Sequence, residues 1–247
     1  MKLLVRLVLA LILIGGAASA APSVDPPVPV FGNGPNGGVT LSSPMQIAIF
    51  MTLMALLPAV IMSITPFLRL TIVLHFLRQA LGTQNTPSNQ VLVGLSLFLS
   101  LLIMQPVISD VYHKGFEPMS NGQMTMQQAF DEGSKPLKSF LAKFAREKDI
   151  KTFLEISRST PPHTPDDLSL KILIPAYILS ELKAGFQIGA VLFLPFLIID
   201  LVVASVTLSI GMVQLPPAMI SAPFKILLFV LVDGWSLVIG SLMKTFY

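Results

Sequence analysis

Residues 186–242 read FQIGAVLFLPFLIIDLVVASVTLSIGMVQLPPAMISAPFKILLFVLVDGWSLVIGSL, and this stretch decides the fold. It is two long apolar runs joined at Met212-Val213-Gln214-Leu215-Pro216-Pro217, with an acid, Asp200, in the first and a base, Lys225, early in the second. A charge inside hydrocarbon costs several kcal/mol unless it meets a partner, water or the interior of a bundle. A hairpin turning near Met212–Pro217 brings the two charges to similar depth. They either pair, within one chain or between neighbours, or Lys225 snorkels to an interface while Asp200 faces a wet cavity. Either way the hairpin reads as part of a membrane assembly rather than a simple lipid anchor.

The rest of the chain fits that reading. Of 247 residues 53% are apolar and only 12% charged, and soluble domains carry about twice that charge. Ten acids and ten bases lie between Asp110 and Lys183, which leaves the flanking regions nearly free of charge. The formal net charge of +3 includes Lys2 and Arg6, so no nucleic-acid footprint remains once these are set aside.

The amino terminus has the form of a secretory signal. Lys2 and Arg6 form a positive region, Leu7–Ile14 an apolar core, and Ala18-Ser19-Ala20 a cleavage site that would leave Ala21 first. Residues 21–44, rich in Pro, Gly, Asn and Ser, read as a flexible extracytoplasmic tether.

Residues 45–109 form a first hydrophobic hairpin. Its first segment is broken at Thr65-Pro66, because proline disfavours helical geometry in the residue before it. Residues 110–184 form a polar helical domain, with helical periodicity over Gln123–Ser157 and a loop over Ser159–Asp167. Residues 185–247 form the second hairpin. The fold class expected is all-α: kinked apolar hairpins with an extracytoplasmic helical domain. Arg69, His75 and Arg78, with no acid nearby, place the connection inside the first hairpin on the cytoplasmic side. The polar domain is then extracytoplasmic and the Met212–Pro217 turn cytoplasmic. Prolines 58, 106, 195 and 223 within or beside apolar runs favour helices whose freed backbone groups are satisfied by neighbouring protein.

Catalytic chemistry has nothing to stand on. There is no cysteine, the three histidines lack ligand spacing, and no phosphate-binding, nucleophile-elbow or zinc-protease motif occurs. We expect no enzyme activity, no cofactor and no bound metal. Gly185-Phe186-Gln187-Ile188-Gly189 is a small-xxx-small pattern that permits close helix approach, or two glycines tolerated near a helix start. Met212 adds an adaptable side chain to the turn, which serves either as a collar around an axis or as an ordinary apolar reversal.

Longer stretches carry a family resemblance. Arg69–Val73 through Leu81–Gln84, the Pro87–Gln90 turn, Tyr177–Gly189, Leu194–Ser205 and Pro223–Trp235 resemble the FliP/SctR family of type III secretion export-gate subunits. The resemblance covers the chain from about Ile47, and Gly82-Thr83-Gln84 with the signal favours the flagellar branch over the virulence (injectisome) branch. It implies a core pore-forming subunit in the bacterial inner membrane at the flagellar basal body. Several copies, a pentamer, form a ring-like helical oligomer with FliQ and FliR, held largely above the bilayer plane. FliO helps assembly, FlhA and FlhB are neighbours, and unfolded flagellar proteins pass through the centre. The resemblance matches a critical charge pair to Asp200 and Lys225, and subunit-contact residues to Glu181, Phe140 and Phe153. It also matches a pore gasket to Met212, Val213, Gln214 and Leu215, though Val213 and Gln214 depart from a methionine-rich turn. Gly185 and Gly189 join the expected subunit interface. An ion or small-molecule carrier is the rival reading, but it calls for inverted repeats and midplane polar sites, of which only Asp200 and Lys225 are present.

Overall fold

The computed structural model describes residues 31–33, 39–83, 85–158, 168–212 and 216–247. The expected cleavage site at Ala20/Ala21, the loop 159–167 and the turn residues Val213, Gln214 and Leu215 lie outside the described residues. Two compact units are present, Met1–Leu56 and Leu57–Tyr247.

In the first unit, β1 (Phe31–Asn33) pairs antiparallel with β2 (Val39–Leu41), Phe31 opposite Leu41. The tether expectation did not include this ribbon. Aromatic and β-branched residues flanking a Gly/Asn/Pro-rich stretch are the local reason for it. All other regular structure among the described residues is helical, as the all-α class requires. The unit also contains the start of α1 (Ser43–Ser63), none of whose residues is buried.

The second unit is organised around α2 (Phe67–Ala80), which follows the break at Thr65-Pro66. Leu70, Val73, Leu74, Leu77 and Ala80 on it are wholly buried. Their spacing of three and four residues puts them on one continuous face. That face meets α3 (Asn89–Val111) and, above all, α7 (Leu170–Ser209). Arg69 meets Glu181, Gly185 faces Ile72, and Gly189 faces Phe76. The offset of 112 to 113 residues means that α2 and α7 run parallel. A Cβ on Gly189 would lie 2.6 Å from the Phe76 ring, and one on Gly185 3.2 Å from Ile72, so glycine is what lets the two helices approach this closely.

Helix α3 continues through a π-helical turn (Tyr112–Phe116) into α4 (Glu117–Ser120). The polar domain holds α5 (Met126–Phe144) and α6 (Glu147–Ser157). Thr125 and Gln128 form a reciprocal capping box that starts α5. The helical periodicity over Gln123–Ser157 resolves into these two helices. The chain turns extended at Ala145 and Arg146, and Arg146 N–H donates to Ser180 Oγ at 2.9 Å instead of continuing the helix.

Two features of the apolar runs depart from plain hairpins. The boundary at 184/185 is not a structural one, since α7 runs unbroken across it for 40 residues and carries Pro175 and Pro195 inside it. The second apolar run of the 186–242 stretch lies in two helices. It divides into α8 (Pro217–Leu231) and α9 (Gly234–Lys244), bent by 67°. Asp233 takes the left-handed conformation, φ 50°, which ends α8. A Cβ on Gly234 would lie 2.2 Å from the Phe229 ring, so only glycine fits behind it. Pro58, Pro106, Pro195 and Pro223 all lie inside continuous helices.

Burial along α7 is uneven. Ten of its residues are buried, but beyond Gly189 only Phe196 and Thr207 are. Its second half and α8 therefore form a hairpin with a largely exposed apolar surface. Leu201 is 68% exposed and Leu231 74%.

Candidate functional site

The hairpin is pinned by a charge cluster. Ser221 and Lys225 are four residues apart on α8 and so share a face, turned to Asp200 on α7. Lys225 Nζ donates to Asp200 Oδ2 at 2.5 Å, and Ser221 Oγ donates to Asp200 Oδ1 at 2.6 Å. A second Lys225 proton goes to the Ala80 carbonyl at 3.1 Å, one of the unsatisfied carbonyls at the end of α2. The cluster thus ties three helices of one chain together. Its two ends differ: the Lys225 side chain is 4% exposed, that of Asp200 31%.

A second buried pair lies at the other end of α2. Arg69 Nη2 donates to Glu181 Oε1, and Nη1 donates to Thr245 Oγ1 at 3.1 Å. The guanidinium carbon is 4.2 Å from the Phe246 ring centre and 5.8 Å from that of Phe144. The polar domain is held nearby by Asp149, which accepts from Ser180 Oγ at 2.8 Å and from Lys183 Nζ. Burial alone would raise the Asp149 pKa. The hydrogen bonds from Lys183 and Ser180 and the charges of Lys183 and Arg146 outweigh it and hold the carboxyl below its ordinary value.

The remaining candidate residues are placed as follows. Phe140 packs on Phe144 and Tyr177 of its own chain, with ring centres 5.0 and 6.1 Å apart, and Phe153 on α6 is half-buried. Gly185 and Gly189, expected at a contact between subunits, face α2 of the same chain. Met212 is 41% exposed and follows Gly211, whose φ of 82° turns the chain after α7. Sequence reasoning missed Ser221, Asp149 and the pairing of Arg69. The topology argument counts Arg69 as a loop charge, yet it is 6% exposed and paired. The available signals were the i, i+4 spacing of Ser221 to Lys225 and the isolation of Arg69 within an apolar helical run.

Residues 50–242 match the profile of the FliP family. The chain belongs to the FliP family. Curated FliP relatives agree over most of the length. The flagellar biosynthetic protein FliP of Pectobacterium carotovorum subsp. carotovorum is 46% identical over 213 residues, 86% of this chain and 83% of the relative. That of Bacillus subtilis (strain 168) is 44% identical over 206 residues, 83% and 93% of the two chains. That of Cereibacter sphaeroides is 44% identical over 211 residues, 85% and 70%. FliP proteins are components of the flagellar type III protein export apparatus, so this chain is an inner-membrane flagellar export component. Among the described residues three helices are long and apolar enough to cross a membrane, and the bent pair α8–α9 makes a fourth if counted as one span.

Proposed function

We propose that the chain lines the passage of the flagellar export gate as a core pore-forming subunit. The observation that carries this is the inside-out arrangement of the second unit. Its Arg69–Glu181 and Lys225–Asp200 pairs close within the chain, while the outer surface of the α7–α8 hairpin is apolar and exposed. At 1.5 Å per residue α7 is about 60 Å long, roughly twice the ~30 Å hydrocarbon core. Much of that apolar length needs a protein neighbour, which a ring of identical subunits supplies.

In this reading five copies assemble with FliR and FliQ, aided by FliO, next to FlhA and FlhB. Unfolded flagellar proteins pass along the axis. The polar helical domain is periplasmic and the Met212–Pro217 tip points toward the axis, with Met212 and Leu215 closing the resting channel. The chain acts by positioning and sealing, with no chemistry of its own.

A photo-crosslinker at Met212, in cells with an export substrate stalled by a bulky carboxy-terminal fusion, tests this reading. Capture of the stalled substrate is expected. Capture of lipid alone would place the tip away from the passage.

A further inference from the structure

A groove of about 680 Å³ lies between the end of α3, the π-helical turn and α5, with Phe246 at its floor. Along α3 its wall is formed by Ile103, Pro106, Val107, Asp110 and then Lys114 in the following turn. The spacings of three and four place these on one helix face, and the face changes from apolar to charged along about 16 Å. Both ends lie within one candidate span, Asn89–Ser120, whose 32 residues make about 48 Å against a hydrocarbon core of ~30 Å, so the charged end lies on the part that extends past the hydrocarbon. On the opposite wall Lys135, Ser139 and Lys143 recur every four residues along α5.

Three lysines thus face the groove, against two carboxylates. Lys114 donates to Asp110 at 2.8 Å and Lys135 to Glu132 at 2.6 Å, so both acids are already engaged. Lys143 is exposed, and its aromatic contact is the Phe144 ring, with Nζ 5.1 Å from the ring centre. An ammonium group has three protons to donate, so Lys114 keeps donors beyond its bond to Asp110. Between the lysines the floor is aromatic, formed by Phe140, Phe144 and Phe246.

We propose that this groove binds an anionic phospholipid. The phosphate takes donors from Lys143 and Lys114, and the start of an acyl chain lies along Val107, Pro106 and Ile103. The gradient from cationic to apolar along one helix face is that of an anionic amphiphile. A soluble anion would leave the apolar half of the groove empty, and a neutral lipid would leave Lys143 without a counter-charge. The site is separate from the hairpin tip and stands whether or not the tip seals the passage.

The test uses the full-length protein, purified with its complex and exchanged into nanodiscs of phosphatidylglycerol, phosphatidylethanolamine or a mixture of the two. Retained lipid is counted by native mass spectrometry. The expected result is preferential retention of phosphatidylglycerol, about tenfold weaker in Lys143→Glu, and unchanged in Lys143→Arg and in the remote exposed variant Lys148→Glu. Inorganic phosphate does not displace the retained lipid. A photo-crosslinker at Ser139 captures phospholipid. Equal retention in Lys143→Glu and the parent, displacement by inorganic phosphate, or capture of a protein at Ser139 would each overturn the proposal.

Discussion

Arg69 and Glu181 form an ion pair in which the arginine side chain is 7% and the glutamate side chain 0% exposed. The same guanidinium holds Thr245 and faces Phe246, so the pair joins the start of α2, the first half of α7 and the residues that follow α9. Removing one partner of a buried pair leaves an uncompensated charge, at a cost of about 3–5 kcal/mol. Arg69→Ala and Glu181→Ala should each destabilise the purified protein by that order. The double variant should cost less than their sum, as a double-mutant cycle on thermal unfolding would measure. Phe246→Leu, which keeps apolar volume but loses the ring, should cost about 0.5–2 kcal/mol. Additive losses would mean that the pair is not coupled.

The charge cluster of the hairpin is predicted to respond asymmetrically. Asp200→Ala leaves the Lys225 ammonium in a site where its side chain is 4% exposed. Its remaining polar contact there is the Ala80 carbonyl. The expected loss is about 3–5 kcal/mol. Lys225→Met leaves a carboxylate that is 31% exposed and still bonded to Ser221. The expected loss is about 1–3 kcal/mol. Complex assembly, followed by native gel after extraction, should fail in the same order. A more severe defect in Lys225→Met would contradict the exposure argument.

Close approach of α2 and α7 gives a packing prediction. Gly189→Ala places a Cβ 2.6 Å from the Phe76 ring, so the helices must shift, and the cost should be about 1–3 kcal/mol. Shortening the obstacle with Phe76→Leu should recover part of it. Gly240→Ala, where a Cβ would meet nothing within 4 Å, should be neutral or slightly stabilising. Thermal unfolding of the three variants checks the order.

The joint between α6 and α7 is predicted to be acid-labile. Asp149 has a folded-state pKa below its ordinary value of 3.8. The unfolded state therefore binds its proton first as pH falls. The stabilisation is complete above the ordinary value and is lost as pH drops through the lower folded value. Hydrogen exchange in α6 should rise over that interval in the parent. Asp149→Asn should exchange faster at neutral pH and lose the added acid sensitivity. A parent profile that is flat through the interval would show that Asp149 does not hold the joint.

Much of this architecture was legible in the residues. The break at Thr65-Pro66, the turn near Gly82 and the reversal near Gly211 were marked by proline and glycine, whose backbone rules are local. The opposite charges of Asp200 and Lys225 announced themselves because an apolar run leaves few bland explanations for a charge. The continuity of α7 through Pro175 and Pro195 was not legible, because a proline inside a helix survives or breaks it according to its neighbours. Arg69 was misread for a related reason. Counting loop charges assumes they are solvated, and only tertiary packing revealed that Glu181, far along the chain, takes this one out of the count. Gly185 and Gly189 signalled close helix approach but not which helix, and α2 of the same chain occupies them.

The central claim is that a ring of these chains encloses a passage closed at the Met212–Pro217 tip. Ion conductance of the purified complex in a planar lipid bilayer tests it most directly. The account predicts that the parent complex stays nearly silent and that deleting Met212, Val213 and Gln214 opens a steady ion leak without disassembling the complex. A deletion complex that stays intact and conducts no more than the parent would contradict it.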